Sequence, residues 1–211
     1  GTLYEKVTDK DGKVTKKQLL DADGNPVTAE TEFVPEDTYG TVDVTFAFDA
    51  SDLKAKDKVV AFESLSLNGK ELASHADIED KSQTVTITKP EVGTTAKDGF
   101  DGNQTVVSDT EVSVVDTVKY KNVTPGKTYK VSGTLYEKVT DKDGKVTKKQ
   151  LLDADGNPVT AETEFVPEDT YGTVDVTFTF DGSLLKDNTP VVAFESLSYK
   201  DKEIASHSDI E

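Results

Sequence analysis

The sequence predicts an all-β fold: immunoglobulin-like antiparallel β-sandwich domains in tandem. Three observations carry this prediction. The chain repeats itself, Gly1–Phe46 recurring letter for letter as Gly133–Phe178 at an offset of 132 residues (133 − 1 = 132), and the match continues with scattered changes to Glu79 and Glu211. That period is too long for a solenoid unit and suits one whole domain. Apolar and polar residues alternate with period two, the mark of half-buried strands. Dipeptides that favour tight hairpin turns sit between the alternating stretches.

In chain order, Asp11-Gly12 and Asp23-Gly24 are the first turn signals, and both return at Asp143-Gly144 and Asp155-Gly156. Thr41–Phe48 alternates strictly and predicts a strand. Ser51–Lys56 has room for a single helical turn, and no amphipathic helix is found elsewhere. Asn68-Gly69 predicts another hairpin, and Ser82–Thr88 another strand. The Gly-, Pro- and Thr-rich stretch Lys89–Asn103 reads as a joint between domains, followed by the opening strand of the next. Thr117–Lys121 and Lys127–Ser132 alternate again. The expected repeats are therefore 1–88 and 89–211. The first lacks the opening strands that the second has at Val112–Ser132. The second stops before an equivalent of Asp80–Thr88, the closing strand of the first. The abrupt start at Gly1, inside a motif whose second copy reads Tyr129-Lys-Val-Ser-Gly133, reads as an excision from a longer protein.

Composition narrows the function classes. Hydrophobic residues make up 34% and charged residues 31%, enough for thin β cores. The net charge of −17, from 41 acidic and 24 basic side chains, repels nucleic acid and anionic membranes. Cysteine is absent, so no disulfide can staple the domains and no thiol chemistry is available. No apolar run reaches membrane-spanning length. Asp21–Asn25 lacks the spacing and closing Glu of a calcium loop and reads as a hairpin turn. No metal or other cofactor is expected. Near-identical neighbouring domains suit stalks and fibres, whose product is length, better than enzymes, which need one good site.

Few residues offer chemistry. The two histidines, His75 and His207, occupy one position a period apart, and Glu63 and Glu195 each follow a Val-Ala-Phe run. An acid in that place lies on or beside a buried strand, where ionisation costs several kcal/mol unless it is protonated, paired or hydrogen-bonded. Two carboxylates forced together share a proton. The plain readings are a surface or packing histidine, an ordinary strand glutamine at Gln83 and an acid that ends a strand. Spacing alone does not exclude them. Asn103-Gln-Thr-Val106 mimics Gln83-Thr-Val85 but has no His and Asp at the same upstream spacing, and reads as joint or strand start.

Several strings occur together and in order: Val60-Ala-Phe-Glu63, His75-Ala-Asp-Ile-Glu-Asp80-Lys-Ser-Gln83-Thr-Val85, Gly93-Thr-Thr-Ala-Lys-Asp-Gly99, Asp116-Thr-Val-Lys-Tyr120 and Pro125-Gly-Lys-Thr-Tyr129. In this the chain resembles the VaFE-repeat, or Thr–Gln ester-bond, domains of Gram-positive bacterial surface adhesins. The resemblance implies a spontaneous crosslink, in which a Thr hydroxyl of the first strand attacks a Gln side-chain amide of the last and releases ammonia. Carried over, it implies Thr117 as nucleophile and Gln83 as electrophile. It implies His75 as proton acceptor or relay, Asp80 and Glu63 as a proton-sharing acid pair, and His207 and Glu195 as the matching helpers of the second copy. The event happens once per domain, so it implies self-processing and not a turnover enzyme. It also implies a stalk on the bacterial cell surface, extracellular and cell-wall anchored in the parent protein.

The partners of such a bond are split here. The Thr matching Gln83 falls at 117 − 132 = −15 and the Gln matching Thr117 at 83 + 132 = 215, both outside the sequence. Three arrangements stay open: the missing residues belong to a longer protein, Thr117 pairs with Gln83 of another copy, or Thr117 folds back onto its own Gln83. The expected partners are thus neighbouring repeats and another copy through strand complementation, with no nucleic acid and no membrane insertion. The competing function is a non-covalent ligand-binding sandwich that grips a glycan or host protein. A hydrolase built on His75 lacks a Ser or Cys nucleophile motif.

Overall fold

A computed structural model describes residues 1–186 and 188–210, apart from the side chain of Leu184. Glu211, the last residue of the expected second repeat, lies outside the described residues. The chain divides into two compact units, Gly1–Thr88 and Lys89–Glu211, here unit 1 and unit 2. Both are all-β with antiparallel pairing, the class the alternation predicts.

Unit 1 holds β1 (Thr2–Thr8), β2 (Val14–Gln18), β3 (Lys58–Leu67), β4 (Lys70–His75) and β5 (Thr84–Thr86), in one sheet of order β2-β1-β3-β4 with β5 also on β3. The expected turns close its hairpins. Asp9 accepts the backbone N–H groups of Asp11 and Lys13 at 2.9 Å, and Gly12 takes φ +80°. Asn68 and Gly69 both have positive φ, as the β3–β4 turn requires. The core is small: Leu3, Leu19, Val27, Leu53 and Val59, with Phe46, Phe48, Ala50, Ala61 and Ile87 packed against it.

Unit 2 holds β6 (Glu91–Asp98), β7 (Val112–Lys121), β8 (Tyr129–Thr140), β9 (Val146–Gln150), β10 (Thr160–Phe165), β11 (Tyr171–Phe180), β12 (Val191–Tyr199) and β13 (Lys202–His207). One sheet runs β10-β8-β12-β13 with β9 on β8, and the other runs β11-β7-β6. Their inner faces meet in one core containing Val114, Val118 and Tyr120 of β7, Tyr129, Val131 and Leu135 of β8, Val176 and Phe178 of β11, and Ala193 and Leu197 of β12. The outer face is used as well. Lys148 spans the rings of Tyr136 and Phe194 at 4.5 and 4.0 Å, as Lys16 spans Tyr4 and Phe62 in unit 1.

Two expectations need correcting. Thr41–Phe48 forms no strand, although its twin Thr173–Phe180 lies within β11. The reason is the partner: β11 pairs with β7 from Tyr171↔Lys121 to Phe180↔Val112, and unit 1 contains no counterpart of β7. An alternating segment without a ladder partner has no place for half its backbone hydrogen bonds except water. Its side chains follow, Tyr39 being 83% exposed and Val42 42%. The second correction concerns Lys89–Asn103, where β6 occupies Glu91–Asp98 and pairs along β7. Its glycine and threonines hid a strand that is half-buried because β12 and β13 pack near it.

Gly133 is required by close approach. A Cβ there would lie 2.5 Å from Cζ of Phe178, which crosses from the opposite sheet. Gly133→Ala is expected to destabilise unit 2 by about 1–3 kcal/mol through overpacking. Calorimetry should show the higher-melting behaviour restored when Phe178→Leu is added.

Candidate functional site

The site in unit 2 grows out of strand alternation. On β7 the inward register runs Val112, Val114, Asp116, Val118, Tyr120, so an acid occupies a core position and is fully buried. On β12 it runs Ala193, Glu195, Leu197, and Glu195 is only 3% exposed. β6 presents Val92, Thr94 and Ala96 to the same interior, Ala96 standing opposite Asp116 and Thr94 opposite Val118. Glu195 has Gly133 of β8 on one side and His207 of β13 on the other. Phe178 lies over Gly133 and helps to keep the site dry.

All four carboxyl oxygens of Asp116 and Glu195 are buried without a hydrogen-bond partner. As ionised groups both are acceptors only, so their contact becomes a hydrogen bond only when one carries a proton. Burial first, then the adjoining Asp116 carboxyl and its charge, push Glu195 up from 4.5 to about 10, while the Thr94 side chain acts in the opposite direction. A proton is therefore held at the pair at neutral pH. The half-buried Thr94 side chain thus adjoins a buried carboxyl pair that binds a proton strongly.

Unit 1 holds the complementary set. Gln83 Nε2 donates to Glu63 Oε2 at 2.8 Å, and the carbonyl oxygen of the same amide, Oε1, is buried with no partner. His75 is the cross-strand neighbour of Glu63. Its Nε2 meets Asp80 Oδ2 at 2.7 Å on an exposed edge. Asp80 Oδ1 accepts the Ser82 hydroxyl and N–H, each at 2.7 Å. The Ser82 hydroxyl, then its N–H, and after them His75 hold the Asp80 carboxyl below its ordinary range.

The structure brings together Gln83 with Glu63, and His75 with Asp80. It does not bring Asp80 and Glu63 together as an acid pair: Asp80 faces Ser82 and His75, and Glu63 faces the amide. It does not bring Thr117 to the acids either. Thr117 follows Asp116, and consecutive strand residues point to opposite faces. Its hydroxyl donates to Asp175 Oδ1 at 2.8 Å on the exposed side. The sequence reading missed Asp116 and Thr94. Asp116 was detectable as an acid in the apolar register of Val112–Tyr120. Thr94 lies in the segment taken for a joint. Among the described residues no group of acids and histidines could hold a metal ion, and no helix is long and apolar enough to cross a membrane.

Fold and site together define a class: antiparallel β repeats with a buried-strand acid that meets a glutamine amide in unit 1, Glu63, and a second carboxyl and a threonine in unit 2, Glu195. The T-Q ester bond containing domain family matches residues 1–87 and 90–211, and the chain belongs to that family. Among solved structures it is similar to a bacterial adhesin from Mobiluncus mulieris containing intramolecular disulfide, isopeptide and ester bond cross-links. In one crystal form the identity is 21% and the TM-score 0.43. In a second they are 22% and 0.41. In both, the match covers 59% of this chain and 54% of the adhesin chain. No curated protein matches the chain significantly.

Proposed function

We propose that the chain is a structural stalk segment of a cell-surface adhesin, in which each repeat is locked by a self-formed ester between Thr94 of the opening strand, or its equivalent, and the glutamine of the closing strand. One observation carries this reading. Gln83 Nε2 sits on Glu63, and Thr94 acts on Glu195, which is the same position one period later (63 + 132 = 195). Superposing the two units by sequence therefore puts hydroxyl and amide on one carboxyl. Thr94, not Thr117, is the nucleophile in this reading.

The chemistry balances without a co-reactant. With an amide in place, the proton of the acid pair sits on Asp116 facing Oε1 and polarises the carbonyl. Glu195 takes the Thr94 hydroxyl proton. Thr94 Oγ1 bonds to the glutamine Cδ, the Cδ–Nε2 bond breaks, and the nitrogen leaves as ammonia with the proton returned by Glu195. Holding both partners in a dry core supplies an effective molarity worth up to ~7–11 kcal/mol of the barrier, and the carboxyl pair supplies general acid–base help. The histidine beside Glu195, His207, assists as a relay. Nothing turns over, so the domain is a self-processing structural element.

The gain is mechanical and thermodynamic. Closing a loop of ~100 residues stabilises by about 4.7 kcal/mol in the chain-entropy treatment, and load along the chain passes through a covalent bond. The test is to extend the chain past Glu211 by the sequence Asp80–Thr88, which supplies the second repeat with a closing-strand glutamine. Denaturing mass spectrometry should show the loss of one ammonia per chain. Thr94→Ala and Asp116→Ala should each keep the full mass while the β circular dichroism persists, and Thr117→Ala should still lose ammonia. Full mass in the extended chain, or loss of ammonia in its Thr94→Ala variant, sinks the reading.

A further inference from the structure

We infer that the β3–β4 turn of unit 1, Asn68-Gly69, is a self-modification site: its side-chain amide is lost as ammonia, isoaspartate takes its place, and the hairpin that carries His75 loosens. The inference starts from a place where the repeat breaks. One period later the same turn reads Lys200-Asp201 (68 + 132 = 200, 69 + 132 = 201). Both turns adopt the same left-handed backbone, with φ 53° and 76° at Asn68 and Gly69 and 51° and 59° at Lys200 and Asp201. The turn shape is thus kept in unit 2 without Asn or Gly. What only unit 1 retains is a carboxamide next to an unobstructed backbone nitrogen.

The geometry around Asn68 favours attack by that nitrogen. Both residues are exposed. Among the described residues, neither the Asn68 carboxamide nor the Gly69 N–H has a hydrogen-bond partner. A Cβ built on Gly69 would meet nothing within 4 Å, so the side chain has open space in which to fold over the nitrogen. The other asparagines are blocked. Asn25 and Asn157 precede prolines, which have no N–H to give up. Asn103 Nδ2 is held by Asp101 at 2.6 Å, and Asn122 Nδ2 by the Lys89 carbonyl at 2.9 Å. Asn188 precedes the β-branched Thr189, whose N–H donates to Lys186 O at 3.1 Å. The Asp-Gly turns are blocked too: Gly12, Gly24, Gly144 and Gly156 each donate their N–H to a carbonyl of their own turn.

The reaction needs only water. Gly69 N gives up its proton and bonds to Asn68 Cγ, the Cγ–Nδ2 bond breaks, and Nδ2 leaves as ammonia carrying a proton. The product is a five-membered succinimide, favoured because both partners belong to adjacent residues. Water then opens the ring. Attack at Cγ gives aspartate at position 68. Attack at the main-chain carbonyl leaves Gly69 N on Cγ and gives isoaspartate, with Cβ inserted into the main chain. A two-residue turn pairs Leu67 with Lys70, and an added chain atom spoils the match between turn and strand twist. β4, which places His75 opposite Glu63, then loses its closing turn. Unit 1 ages in this way and unit 2 does not.

The experiment incubates the full chain without denaturant at mildly alkaline pH and follows it by peptide mapping and mass spectrometry. The peptide containing Asn68 should gain the mass of NH replaced by O, at a rate first order in hydroxide, while the peptides of the other asparagines keep theirs. Part of the product should accept a methyl group from an isoaspartyl methyltransferase. The exchange Asn68→Lys with Gly69→Asp, which installs the unit 2 turn, should abolish the mass gain. In the separated isoaspartyl form, amide hydrogen exchange should quicken across Lys70–His75 and stay unchanged across Lys202–His207. An Asn68 that survives in the native chain and is lost only after denaturation overturns the inference, because the fold would then protect the turn. Unchanged exchange in β4 of the isoaspartyl form overturns it equally, because the modification would leave the hairpin intact.

Discussion

Replacing Phe178 with alanine is expected to destabilise unit 2 by about 3–5 kcal/mol, whereas the same replacement at Phe46 should cost unit 1 roughly 1 kcal/mol. The two residues occupy the same place in identical 46-residue sequences. Phe178 is fully buried between the sheets and sits on Gly133. Phe46 touches Gly1 in the same way but lies at the margin of a smaller core, only partly buried. The strand that carries Phe178 is anchored to β7, and unit 1 has no counterpart of β7 to anchor Phe46. Calorimetry of the two single variants gives the comparison directly. Equal losses would mean that the Tyr39–Phe48 segment is packed as well as β11, contrary to the structure.

The second large effect is on pH dependence. Glu195 is raised on folding from 4.5 to about 10. Between those values the folded state binds a proton that the unfolded state releases, so the stability of unit 2 falls as pH rises. The contribution is complete below 4.5 and lost as pH climbs toward 10, with a slope of about 1.4 kcal/mol per pH unit. At pH 7 the accumulated loss is on the order of 3 kcal/mol. Glu195→Gln, neutral at every pH, is expected to abolish this slope between about pH 5 and 9. Tyr120, raised by burial and then by Asp169 and Glu168, titrates above that window. Denaturant unfolding followed by circular dichroism across the range measures both slopes, and parallel curves for parent and variant would show that Glu195 ionises freely in the fold.

Much of the candidate site could be read from the sequence, because the repeat and its motifs point to the residues one by one. The Val-Ala-Phe-Glu run put Glu195 on a buried strand, and Gln83 does meet the acid one period earlier, Glu63. What a linear reading could not assign was which neighbour in a motif faces the interior. In Asp116-Thr117 the hydroxyl looked like the reactive group, yet strand parity turned the carboxyl inward and the hydroxyl out. Asp80 and Glu63 lie 17 residues apart (80 − 63 = 17), and only the β3–β4 and β3–β5 pairings show that one faces a serine and a histidine while the other faces an amide.

Local chemistry in the sequence determined the class and the punctuation. Period-two alternation, Asp-Gly and Asn-Gly turns and the absence of helical periodicity specify antiparallel β structure, because side-chain direction and turn φ are properties of a few adjacent residues. The tertiary structure decided which alternating segments become strands. Tyr171–Phe180 is a strand and Tyr39–Phe48 is not, although eight of their ten residues belong to the exact repeat. A β-strand takes its hydrogen bonds from another segment, so its existence depends on a partner that its own sequence does not contain.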